Sequence, residues 1–89
     1  MIKEIKIVFL HDGTKEYRLD GKLHREDGPA VECTNGNKYW YFNDKLHRED
    51  GPAVEYKNGI INFWYLDGKI IYCTSQEEFM RIARLKILL

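Results

Sequence analysis

Much is scarce in this chain of 89 residues, and each shortage closes off a class of function. There are two cysteines, Cys33 and Cys73, far apart and with no cysteine or histidine at zinc-ligand spacing. Such a pair builds neither a disulfide framework nor a structural metal site. Both read as small buried hydrophobes in a reducing compartment. No apolar run reaches the about 18 residues that a membrane-spanning helix needs. Residues 1–10, MIKEIKIVFL, have neither the apolar core nor the small-residue cleavage site of a secretory signal. A cytoplasmic location is therefore expected. Lys plus Arg and Asp plus Glu both number 14, and zero net charge argues against nucleic-acid binding driven by counterion release. GxSxG, P-loop, HExxH and CxxC patterns are all absent. No catalytic residue, metal or cofactor is expected.

What the chain does have is repetition. The eleven residues KLHREDGPAVE stand at 22–32 and again, letter for letter, at 45–55, an offset of 23 residues. The register extends outwards through Asp12-Gly13, Asn35-Gly36 and Asn58-Gly59, and through Tyr17 and Trp40, then Leu19 and Phe42. A third copy occupies 58–69 with one extra residue before Trp64, so that FWYLDGK matches YWYFNDK. After Lys69 the LHRED segment is lost. The chain is a short tandem array with a variant last unit.

Turn signals punctuate each unit. Asn35-Gly36 and Asn58-Gly59 predict tight type I′ turns. Asp20-Gly21, Asn43-Asp44 and Asp67-Gly68 mark a second turn, and the Asp-Gly-Pro runs 27–29 and 50–52 a third. Between them, 5–10, 15–19, 30–33, 38–42, 53–56, 61–66 and 69–73 are rich in strand formers. The expected fold is mainly β, in the α+β class. It is an antiparallel meander of tandem 23-residue hairpin units with one C-terminal helix, all in a single domain over 1–89. An N-terminal strand lies in 1–11, three hairpin units fill 12–73, and the helix fills 75–89. Ser75 to Glu78 read as a capping box. Phe79, Met80, Ile82, Ala83, Leu85, Ile87 and Leu89 cover more than half of the helix circumference, so it needs burial on two sides. The sheet is one; a second subunit, a partner or a membrane surface is the other.

Two groups of side chains are candidates for function. Alternation places Trp40 and Phe42 on one sheet face with Trp64 and Leu66, and Tyr39 and Tyr41 on the other with Phe63 and Tyr65. The second set, with Arg81 and Arg84 of the helix, is the candidate partner-binding surface, since aromatic side chains and Arg dominate interfaces. The repeated His24-Arg25-Glu26-Asp27 and His47-Arg48-Glu49-Asp50 suit acid–base chemistry or metal binding. Printed twice at hairpin spacing and running into a Gly-Pro turn, they read better as a structural polar ladder. In that reading Asp27 and Asp50 accept turn amides, and Arg and Glu of adjacent repeats pair across neighbouring strands. Metal binding by His24 with His47 and a charged binding surface are the alternatives.

The pattern [WY]-x-x-[ND]-[GD]-K-L-H-R-E-D-G-P-A, carried by 23–30 and 46–53, resembles the MORN-like repeats of bacteriophage and giant-virus proteins. More loosely it is similar to YwqK-type antitoxin-like proteins. The resemblance covers 12–69 and implies no catalytic residues. It implies scaffolding, dimerisation or lipid binding as roles. The expected function is a small non-enzymatic protein-interaction module, in its sharpest form a phage-type inhibitor that blocks a host defence protein in the host cytoplasm. An antitoxin, a self-assembling scaffold with a homodimer through the helix, and a small-molecule or nucleotide binder are the alternatives. Nucleic-acid and membrane partners are not expected.

Overall fold

The computed structural model describes residues 4–59 and 61–88, with side chains to residue 85. Among the described residues ten strands precede one helix: β1 Lys6–Phe9, β2 Lys15–Leu19, β3 Lys22–Leu23, β4 Val31–Glu32, β5 Lys38–Tyr39, β6 Tyr41–Phe42, β7 Lys45–Leu46, β8 Val54–Glu55, β9 Asn62–Leu66, β10 Lys69–Ile71 and α1 Gln76–Leu88. All pairings are antiparallel, and the main sheet runs β1-β2-β4-β5-β8-β9-β10, with β3 attached to β2 and β6-β7 forming a second small sheet. The molecule is a slab of 38 × 37 × 17 Å. Its radius of gyration, 13.9 Å, exceeds the about 12 Å of a spherical domain of this length, as a one-dimensional array should.

Each of the first two units is a hairpin plus a third short strand, and the last is the β9–β10 hairpin followed by α1. The leading strand divides its ladder between two partners. In β2, Lys15 and Glu16 pair with β4, whereas Arg18 and Leu19 pair with β3. In the second unit the same strand is interrupted at Trp40, so β5 pairs with β4 and β8 while β6 pairs with β7. The stretch expected as one strand over 38–42 is therefore two. The HREDGPA segment, too polar and too turn-rich for a strand, joins β3 to β4 and β7 to β8.

The turn chemistry differs from the sequence expectation. The type I′ geometry lies at the two-residue hairpin loops, where both central residues have positive φ: Asp20 (52°) and Gly21 (80°), Asn43 (50°) and Asp44 (66°), Asp67 (49°) and Gly68 (80°). At Asn35-Gly36 and Asn58-Gly59 only the glycine is left-handed. There the loop is longer, closed by Cys33 N–H to Asn37 O and Gly36 N–H to Cys33 O, so one left-handed residue after an ordinary turn suffices.

The core sits at the C-terminal end, where Trp64, Ile71 and Phe79 are buried and Leu66, Cys73 and Ile82 pack around them. Ser75 caps α1 by accepting the Glu78 amide at 3.1 Å, while the Glu78 carboxylate accepts from Thr74 Oγ1 and not from the Ser75 backbone. Among the described residues no helix is long and apolar enough to cross a membrane. Met1, Ile2, Lys3 and Leu89, included in the expected terminal elements, lie outside the described residues, as do the side chains of Ile87 and Leu88.

Candidate functional site

The repeated polar segment places each histidine against the next unit. His24 Nδ1 accepts the backbone N–H of Asn43 at 3.1 Å, and His47 Nδ1 accepts that of Asp67 at 3.0 Å. Asn43 and Asp67 are the first left-handed residues of the following hairpin turns, positions whose N–H the hairpin itself leaves unsatisfied. Backbone bonds run alongside, Arg25 N–H to Tyr41 O and Arg48 N–H to Tyr65 O, Asp44 N–H to Leu23 O and Gly68 N–H to Leu46 O. Asp44 adds a further link, its carboxylate accepting the Leu23 N–H at 2.7 Å. An Nδ1 that accepts places the proton of a neutral imidazole on Nε2. Each Nε2 faces an exposed glutamate at 3.8–3.9 Å, Glu26 or Glu49.

The two imidazoles do not converge. The Phe42 ring stands between them, 4.4 Å from His24 and 6.1 Å from His47 by centroid. Among the described residues no group of three or more His, Cys, Asp or Glu is arranged to hold a metal. The groove here, about 550 Å³, has Trp40 and Phe42 in its walls with Arg25, Arg48, His47 and Asp67. Both guanidinium groups and the His47 Nδ1 are already engaged within the fold.

The arginines make a second repeated device. Arg48 lies over the Trp40 ring with its guanidinium carbon 3.7 Å from the centroid, and Arg25 over Tyr17 at 4.0 Å. On the other side of each guanidinium is a glycine. A Cβ at Gly28 or Gly51 would fall 2.6 Å from the guanidinium carbon of Arg25 or Arg48. The plane is thus clasped between an aromatic ring and a glycine backbone. Its edge is satisfied by Asp27, Pro29 O and Glu32 in the first unit, and by Asp50, Pro52 O and Glu55 in the second. Arg–Glu pairing is consequently inside a unit, not across neighbouring units as the sequence suggested. Asp27 and Asp50 bind the arginine and not turn amides. The Arg48 hydrogen bond holds the Asp50 carboxyl below its ordinary range.

The third unit keeps the ring and loses the arginine. Trp64 is covered by Phe79 of α1, centroids 6.5 Å apart and stacked, in place of a guanidinium. Trp64 Nε1 donates to Gln76 Oε1 at 2.7 Å, and Gln76 Nε2 donates to Glu49 O at 3.2 Å. The helix therefore completes what the absent HRED segment would have supplied. Trp40 Nε1 is buried without a partner among the described residues; no counterpart of Gln76 precedes the last unit.

The aromatic set lies on the other face. The register places Val31, Tyr39, Val54 and Phe63 in one cross-strand row. Tyr65 follows Phe63 two residues along β9, opposite Ile70, and Tyr41 follows Tyr39 across the break at Trp40, in β6 opposite Leu46. All four aromatics are half-buried. Burial, reinforced by Tyr39, Asp44 and Tyr65, pushes the Tyr41 hydroxyl up, so it stays a neutral donor and acceptor. Tyr56 meets Phe63 edge to face at 6.1 Å. Arg81 and Arg84 are not part of this patch. Arg81 is exposed and pairs with Glu77 along the helix, and Arg84 lines a groove with His47, Leu66, Phe79 and Met80 on the Trp64 side.

The chain matches no family model, no curated protein and no solved structure. Its own residues therefore carry the functional reading. One consequence concerns His24. An asparagine at 24 would place its Oδ1 acceptor close to the position of the imidazole Nδ1, whereas glutamine would reach the position of Nε2. His24→Asn should retain most of the stability and His24→Gln should lose about 1 kcal/mol, the worth of the hydrogen bond to the part-buried Asn43 amide. Chemical denaturation of the two variants checks it; equal losses would remove the Asn43 bond from the account.

Proposed function

We propose that the chain is a small non-enzymatic protein-interaction module that acts by occupying the surface of another protein, with Tyr39, Tyr41, Phe63 and Tyr65 as the contact set. The observation that carries this reading is the division of labour between faces. The histidines, arginines and helix on one side are engaged in holding units together. The opposite face presents four half-buried aromatic rings, Tyr39 and Phe63 in one row of the main sheet and Tyr41 and Tyr65 beside them. Such rings offer large contact area at low entropic cost. The sharper form follows from the likeness to phage MORN-like repeats: an inhibitor that blocks a host protein, with a toxin as the related target class.

The test is paired capture from host extract by the tagged wild type and by a Tyr41→Ala, Tyr65→Ala variant. The variant should lose the captured protein while its Tm falls by less than about 10 °C, as expected for half-buried truncations. Undiminished capture by the variant would reject this face.

A further inference from the structure

The N-terminal strand is built unlike any other in the molecule. β1 is an edge strand with β2 as its partner among the described residues, and it has no proline and no break in its register from Lys6 to Phe9. One face of β1 and its flanks carries Ile5, Ile7 and Phe9, and the other carries Val8 and Leu10 beside the single charge of Lys6; the apolar side chains are exposed, Ile5 41%, Ile7 51%, Val8 37%, Phe9 68% and Leu10 44%. Edges of this kind are normally blunted by charge, proline or a bulge.

The backbone shows which groups are available. Tyr17 N–H donates to Ala30 O and Tyr17 O accepts from His24 N, so Tyr17 faces β3 and β4 while Glu16 and Arg18 face β1. Leu10 N–H donates to Thr14 O. By alternation the amides and carbonyls of Lys6 and Val8 face β2, and those of Ile5, Ile7 and Phe9 point out from the free edge.

We propose that this edge pairs with a second copy of the chain, β1 against β1 in antiparallel fashion, with Ile7 on the two-fold axis. The outward set is self-complementary in that register. Ile7 meets Ile7 of the second copy, Ile5 meets Phe9 and Phe9 meets Ile5, joining six apolar side chains in one stripe. A slip of two residues would set Lys6 against Lys6 of the second copy, beside Arg18, which already opposes Lys6 within the chain. An edge pairing this short buries less than the roughly 1,200 Å² at the low end of standard specific interfaces. The dimer is accordingly weak, with a dissociation constant in the tens of micromolar. It makes one continuous sheet with both aromatic faces on the same side, so a partner with two sites would be held bivalently.

Sedimentation equilibrium from about 1 to 500 µM should show a monomer–dimer equilibrium for the wild type. Ile7→Pro removes an outward amide and leaves the β1–β2 ladder intact, an allowed place for proline. It should abolish dimerisation with little change in Tm, and Ile7→Lys should do the same by opposing like charges if the proline variant proves unfolded. Leu85→Glu, on the exposed side of α1, should dimerise as the wild type does. Under mild oxidation Ile7→Cys should form a disulfide-linked dimer, since opposed Cα atoms are about 5.5 Å apart. Glu4→Cys should not, its copies lying about 20 Å apart. A wild type monomeric at 500 µM would overturn the proposal. So would a dimer that survives Ile7→Pro or is lost with Leu85→Glu.

Discussion

Arg48→Ala should lower stability by about 2–4 kcal/mol, a fall in Tm on the order of 10–20 °C for a chain of this size. The Arg48 side chain is only 16% exposed, and its guanidinium ties together Asp50, Pro52 O and Glu55. It also covers the Trp40 ring at 3.7 Å. Lysine cannot reproduce the fork or the stacked plane, so Arg48→Lys should recover little. The second half of the clasp supplies a sharper test. Gly51→Ala places a Cβ 2.6 Å from the guanidinium carbon, and the backbone there has no left-handed φ to explain the glycine. In the wild type it should cost about 1–3 kcal/mol by displacing the arginine from the ring. In the Arg48→Ala background it should cost under about 0.5 kcal/mol, because the group it displaces is gone. Additive losses would mean that the glycine serves some purpose other than admitting the arginine. The same cycle at Arg25 and Gly28 should show a smaller coupling, since Arg25 is 23% exposed and rests on a tyrosine.

Phe79→Ala should be the most damaging single truncation, at about 3–5 kcal/mol. Phe79 is the largest fully buried side chain among the described residues, and it caps the Trp64 ring where earlier units use arginine. A chain of this length has roughly 4–13 kcal/mol of stability in all, so the variant should lose about a quarter of it or more. Loss should begin at the end of the array. Amide protection in β9, β10 and α1 should fall before protection in β2 and β4, because each unit contacts only its neighbours. A loss below about 1 kcal/mol would show that α1 is an appendage and not the closing unit.

How much of this was legible from the amino acids depends on the device. The 23-residue offset set the unit boundaries, and the loss of HRED after Lys69 marked where the array closes. Ser75 announced the helix start. The strand break at Trp40 was not legible, because YWYF alternates as one strand and its two ladders go to different partners. Nor was the placing of the type I′ turns. Asn-Gly is the stronger local signal, yet loop length decided the geometry, and Asp44 tolerates φ of 66° while its carboxylate holds Leu23. The arginine clasp had a signal that reading by local motif passes over. Arg25 and Arg48 each stand three residues before a glycine and eight after an aromatic, whereas Trp64 keeps the ring and lacks both. Arg84 could not be separated from the tyrosine face without knowing which side of the sheet α1 covers.

The central claim is that the twice-written histidine segment joins each unit to the next. Its most direct measurement is the scalar coupling across the N–H···N hydrogen bonds in uniformly ¹⁵N-labelled protein at about pH 8, where a free imidazole is neutral. The Asn43 amide nitrogen should couple to His24 Nδ1 and the Asp67 amide nitrogen to His47 Nδ1, with both rings protonated on Nε2. Rings protonated on Nδ1, with no coupling to either amide, would contradict the account.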